Sequence, residues 1–206
     1  MNRFSVAPNA PCPCGKGKNA NSCHGRDDFE RLAKAIHEIG HAAMSPPGAL
    51  THVSFLEPCP LCSGAEKRTP GSEAHMAFKD DFDFSILDLL MLAVAGGATE
   101  VACGLRPTYV SYDIGEYPDG MLKDFDDLKA DMTDREQWHE VIHLIAPCFQ
   151  LVVEHCKEHV PLIQEHALKL LEHDSLTADQ LDFGSFKREE LFKGIMDVLD
   201  EDENGP

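Results

Sequence analysis

At 206 residues and 43% hydrophobic content, the chain fits one domain of ordinary size, or one domain plus a small appended module. A formal net charge of −18 argues against nucleic acid and anionic membrane as partners, because phosphate surfaces are met with clustered Lys and Arg. Eight cysteines, with no apolar leader over Met1 to Pro13, point to metal ligation or reduced thiols in the cytoplasm rather than to a disulfide framework.

The first unit is Pro11-Cys12-Pro13-Cys14-Gly15, continuing to Cys23-His24-Gly25. Its prolines and glycines predict tight turns that gather soft thiolates, and a segment this short has no core of its own. Cys12, Cys14, Cys23 and His24 have the spacing to close a tetrahedral structural Zn²⁺ site, which would supply the folding energy. The stretch resembles the SEC-C motif, a small zinc module found at the end of the SecA translocation ATPase and in many other proteins. It keeps all four ligand positions. The resemblance implies a zinc module over residues 1–26 that holds a partner, either a separate ATPase or another protein.

A helix is predicted from Asp27 or Asp28, as N-caps, to about Met44. Phe29, Leu32, Ala33, Ile36, Gly40 and Ala43 recur at helical spacing and form a stripe that faces a core. Ser45-Pro46-Pro47-Gly48 ends it. Within this helix His37-Glu38-Ile39-Gly40-His41 reads H-E-x-x-H. Residues four apart lie on one face, so both imidazoles can reach one Zn²⁺, and Glu38 lies beside it as a general base toward water.

Thr51 to Leu56 alternates and is β-branched, which predicts a strand, and Ala74 to Phe78 predicts a second, shorter one. Between them Cys59-Pro60-Leu61-Cys62 resembles half of a zinc knuckle without its second pair. Ser85 is expected to cap a helix from Ile86 to about Gly104. Asp88 and Glu100 within its apolar run make it a core helix, not a membrane span. Cys103, Cys148 and Cys156 are read as buried apolar thiols. Gly96-Gly97 marks close helix packing. Further helices are predicted at Phe125–Thr133, Asp134–His159 and Pro161–Glu172, with a short one from Thr177. Residues 200–206 read as an acidic disordered tail. The many histidines from His139 to His173 are read as exposed or interfacial.

A catalytic zinc needs a third protein ligand. The metzincin extension is excluded by Met44 and Pro47. Ala35 to Leu56 resembles the start of the FtsH-type peptidase domain, whose zinc helix reads roughly A-x-H-E-A-G-H-A before a V-x-x-V-S-I-like strand. Leu92 to Glu100 resembles that family's L-A-G-R-A-A-E helix, with Gly104 as its closing glycine. The helical run Glu154 to Leu181 is similar to the family's last helices.

In that family an Asp opening the next helix is the third ligand. The resemblance places it on Asp127, with Asp126 and Asp124 as alternatives. The chain departs from the family in having no ATPase module or membrane anchor, a shortened zinc helix, and a longer segment from Gly104 to Asp127.

The expected fold is mainly α (α+β): a helical zinc-metallopeptidase domain over 27–199 with a small β-element, preceded by the zinc module. The expected activity is hydrolysis of protein or peptide substrates. His37, His41 and Asp127 would hold a catalytic Zn²⁺, Glu38 would act as base, and the Cys₃His set would hold a structural Zn²⁺. A homo-oligomer is within what the resemblance implies, since that family forms rings. The alternative reading is a non-catalytic zinc-binding adaptor that uses the same fold for protein interaction.

Overall fold

The computed structural model describes residues 10–24, 26–55, 75–105 and 142–203. Helix α1 (Ala20–Cys23) leads into α2 (Arg26–Met44). After β1 (Leu50–Ser54) and β2 (His75–Phe78) come α3 (Ile86–Ala102), α4 (Ile145–Glu158), α5 (Val160–His173), β3 (Ser175–Thr177) and α6 (Arg188–Glu203). Among the described residues the architecture is mainly helical with one three-stranded antiparallel sheet in the order β2-β1-β3. No described helix is long and apolar enough to cross a membrane.

Helix α2 is central. It packs against α3 on one side and α5 on another, and it touches β1. Leu32, Ala33, Ala35, Ile36, Ile39 and Met44 are all fully buried, so the buried surface is wider than the single stripe read from the sequence. Ala35 and Ile39 are buried beyond that stripe, in keeping with a helix that packs against two helices and a strand at once.

Gly40 is what lets α2 and α3 cross closely. A Cβ there would stand 3.0 Å from the Ala95 carbonyl oxygen and within the Thr99 side chain. Ser45 Oγ donates to His41 O at 2.9 Å at the end of α2. Arg188 Nε donates to Met44 O at 2.8 Å, satisfying a carbonyl that the helix itself leaves open.

Helix α3 begins as its sequence predicts. Ser85 Oγ accepts from Asp88 N at 3.1 Å, and Ser85 N donates to Asp88 Oδ2 at 3.0 Å, a reciprocal capping box. It ends at Gly104, whose φ of +74° favours glycine. Leu105 N donates there to Glu100 O at 2.9 Å, which fixes the backbone one turn from the helix end.

In the sheet, Val53 pairs with Met76 on one side and Leu176 on the other. Ser54 and Ser175 hydroxyls meet at 2.6 Å.

Several sequence expectations need correction. Helix α2 starts at Arg26, so Asp27 and Asp28 lie in its first turn rather than at its N-cap. Strand β3 occupies Ser175–Thr177, where only a short helix was expected; the helical part is a single 3₁₀ turn at Ala178–Gln180. Helix α6 runs to Glu203, so the segment expected to be a disordered tail from Asp200 is helical over its first four residues. Of the helix expected over Asp134–His159, residues 134–141 lie outside the described residues, Ile142–Leu144 form a 3₁₀ turn, and Ile145–Glu158 are helical. The helix expected at Phe125–Thr133, and Cys59 and Cys62, lie outside the described residues.

Candidate metal centres

Two sets of side chains converge. The first is on the N-terminal turn-rich segment, where Cys12 N donates to Lys18 O at 2.7 Å and Gly15 N to Cys12 O at 3.1 Å. Gly15 and Gly17 take φ values of +72° and +70°, the left-handed backbone that favours glycine in the tight turns following Cys14. Helix α1 then delivers Cys23 and His24. One ligand atom from each of Cys12, Cys14, Cys23 and His24 lies within 4.8 Å of the others, and the four form a cluster that could hold a metal ion.

Thiolates about 2.3 Å from a tetrahedral zinc stand roughly 3.8 Å apart. Cys14 and Cys23 sulfurs are 3.4 Å apart, so small side-chain rotations suffice. His24 Nε2 is buried with no hydrogen-bond partner, which is costly for a ring nitrogen unless it meets a cation. The residues therefore fit the group. Burial pushes the Cys12 thiol up to about 12. At Cys14 burial acts the same way, but the neighbouring His24 side chain and the Lys16 backbone outweigh it and bring the thiol down to about 7.

The second set sits where α2 crosses α3. His37 and His41 occupy one face of α2, and their Nε2 atoms stand 2.9 Å apart. Each ring is held from behind. His41 Nδ1 donates to the Leu92 carbonyl at 2.9 Å, and His37 Nδ1 lies 3.0 Å from Glu100 Oε1. Leu92 O can only accept, so the neutral His41 carries its proton on Nδ1 and turns a lone pair toward His37.

Burial, and then the charge of His37, lower the His41 pKa to about 4, although Glu38, the Leu92 carbonyl and Glu100 oppose the shift. His41 is therefore a neutral ring near pH 7. Two Nε2 atoms at 2.9 Å need a proton or a cation between or before them. A tetrahedral zinc would set them about 3.3 Å apart, within a small turn of either ring.

Glycine is required behind this pair. A Cβ on Gly96 would lie 2.6 Å from His37 Nδ1, inside the imidazole's own space. Gly96, in the Gly96-Gly97 pair read from the sequence as a close-packing site, thus packs against the His37 ring. Glu38, between the two histidines in sequence, is half-buried, and its charge acts on His41.

Asp127, Asp126 and Asp124 lie outside the described residues, so the third ligand expected from the resemblance is not placed. Among the described residues, the Cys12–His24 cluster is the one group of three or more such ligands.

Sequence reasoning gave Glu100 no role. Its side chain is 4% exposed. The available signal was an acid inside an otherwise apolar helix, which is rare unless the charge is partnered. The Leu92 carbonyl has no sequence signal, being backbone. Cys103, Cys148 and Cys156 are buried as expected, and burial pushes each thiol up to about 12. His166 is also buried, its Nε2 donating to Asp182 O at 3.0 Å, while His155 and His159 pack on the Phe186 ring. These are interfacial histidines.

No family model and no curated protein matches the chain.

Proposed function

We propose that the helical domain is a zinc-dependent metallopeptidase acting on protein or peptide substrates. One observation carries this: the Nε2 atoms of His37 and His41 converge while both Nδ1 atoms are committed to acceptors, Glu100 and Leu92 O. Imidazole ligands of a metal are ordinarily held in this way, by a carboxylate or carbonyl on the second nitrogen.

His37 and His41 would hold the zinc together with a carboxylate from the segment after Gly104, Asp127 being the residue the family resemblance nominates. When bound, zinc lowers the pKa of water and polarises the scissile carbonyl.

The remaining chemistry belongs to the chain. Glu100 keeps His37 in its Nδ1–H tautomer and makes the ring more electron-rich. The Leu92 carbonyl fixes His41 in the same tautomer. Glu38 takes a proton on its carboxylate from the attacking water and returns it to the leaving amine. The Cys₃His cluster, on this reading, holds a second, structural zinc. A non-catalytic scaffold would need neither Glu38 nor two imidazoles oriented from behind.

The test uses full-length protein loaded with Zn²⁺. Glu38→Gln is expected to keep its zinc while hydrolysis of an unfolded, fluorophore-quenched protein substrate falls by roughly 10²–10⁴-fold. His41→Ala is expected to lose one of two zinc ions. Undiminished cleavage by Glu38→Gln, or full zinc retention by His41→Ala, would refute the proposal.

A further inference from the structure

We infer that the Cys₃His cluster is a staple built into the helical domain, seated on α5 through Gly15 and Gln164, rather than an appendage free to recruit partners. The inference rests on metal loading of that cluster and is independent of peptidase activity.

Three observations carry it. The first is covalent: His24 stands two residues before Arg26, the first residue of α2. Two residues span at most about 7 Å, so this ligand and the start of α2 move together.

The second is burial. Cys12 and Cys14 are 3% and 2% exposed and belong to the same continuous core as Leu32, Ile36, Ile163 and Ala167. A free-standing knuckle has no such neighbours.

The third is a close approach at the turn between ligands. A Cβ on Gly15 would lie 2.5 Å from Gln164 Oε1 and 3.2 Å from its Cδ. The Gln164 amide therefore occupies the space that any larger residue would need. Gly15 N in turn donates to the Cys12 carbonyl, so the seat on α5 lies at the backbone that shapes the thiolate pair.

Helix α5 packs along α2. The circuit is closed: cluster to α2 through the chain, cluster to α5 through Gly15 and Gln164, and α2 to α5 through the core. Metal binding at the cluster then stabilises the α2–α5 pair, and the seat on α5 reciprocally slows metal loss.

The experiment combines hydrogen exchange with metal release in full-length, zinc-loaded protein. Cys14→Ser is expected to bind one zinc fewer and to exchange backbone amides at least about 10-fold faster in the first turns of α5 and α2, not only in residues 10–24. Gln164→Ala keeps all four ligands and is expected to surrender the cluster zinc to a chromophoric chelator roughly 10-fold faster than wild type. The inference is overturned if faster exchange in Cys14→Ser stops at residue 24. It is equally overturned if Gln164→Ala releases zinc at the wild-type rate, a readout that survives even where Cys14→Ser fails to fold.

Discussion

Replacing Gly96 with alanine probes whether the α2–α3 crossing is what aligns the imidazole pair. The new methyl would stand 2.5 Å from His37 Nε2 and 2.6 Å from Nδ1. That is about 1 Å inside ordinary contact distance, so something must move. The helices cannot simply part, because Gly40 is seated against Thr99 and the Ala95 carbonyl on the same crossing. The ring must turn, and it gives up the 3.0 Å contact between Nδ1 and Glu100.

A hydrogen bond to a charged group is worth about 1.5–3 kcal/mol, whereas alanine in a helix interior gains about 1 kcal/mol over glycine. The net is a loss of about 0.5–2 kcal/mol, which lowers Tm by roughly 1–8 °C in a domain of this size. Zinc at the His pair should bind about 10–100-fold more weakly, while the Cys₃His cluster is untouched. Calorimetric melting with and without zinc, together with competition against a chromophoric chelator, reads both effects. A Gly96→Ala protein that melts higher than wild type and keeps its zinc affinity would refute the reasoning, since helix propensity would then be the whole effect.

Glu100→Gln retains an acceptor for His37 Nδ1 but removes the charge, and should weaken zinc at the His pair by about 10–100-fold with the helical CD spectrum unchanged; equal affinity would deny Glu100 its orienting role. In chelator-stripped protein the His41 pKa falls from 6.5 to about 4 on folding, through burial and then the charge of His37. The unfolded chain therefore binds the proton first as pH falls. This histidine removes stability as pH drops from about 6.5 to about 4, by about 3 kcal/mol in all. Urea unfolding at both pH values should show that loss in wild type and a smaller one in His41→Gln. Cys103, Cys148 and Cys156, raised to about 12 chiefly by burial, should resist iodoacetamide at pH 8 in the native protein, their thiolate fraction being about 1000-fold below that of an ordinary thiol; peptide mapping shows whether any is labelled before unfolding. Arg188→Met breaks an ion pair with Asp88, whose side chains are 12% and 13% exposed, and removes the donor to Met44 O. A loss of roughly 3 kcal/mol in urea unfolding is expected, and a change within 0.5 kcal/mol, about that of an ordinary surface site, would contradict it.

Local signals carried the sequence reading a long way. The capping box at Ser85, the Pro-Pro-Gly stop after Met44, the glycine at 104 and the two alternating strands are each written within a few consecutive residues. The spacing of His37 and His41 also predicted their common face. What stayed hidden depends on distance along the chain. Glu100 meets His37 across 63 residues, and nothing near either residue announces the other. Strand β3 is three residues long and is held in the sheet by β1, so it has no periodicity to read. His166 was legible in principle: with Ile163, Ala167 and Leu170 it completes the buried stripe of α5. The N-terminal cysteines predicted their own cluster, but not the glutamine on α5 beneath it.

The contacts that close the domain have a consequence for how it is made. Arg31 to Asp174, Ser54 to Ser175 and Arg188 to Met44 join positions 143, 121 and 144 residues apart. During vectorial synthesis α2 and β1 leave the ribosome well before these partners exist. At about 5–20 residues per second the wait between Phe55 and Arg188 is roughly 7–27 s. For most of that interval one edge of β1 lacks β3, and throughout it the open end of α2 lacks Arg188, a condition in which nascent chains rely on chaperones. Truncation after His173 should therefore leave α2 intact as a helix yet unable to complete its fold. The His37–His41 pair is synthesised early and locked late.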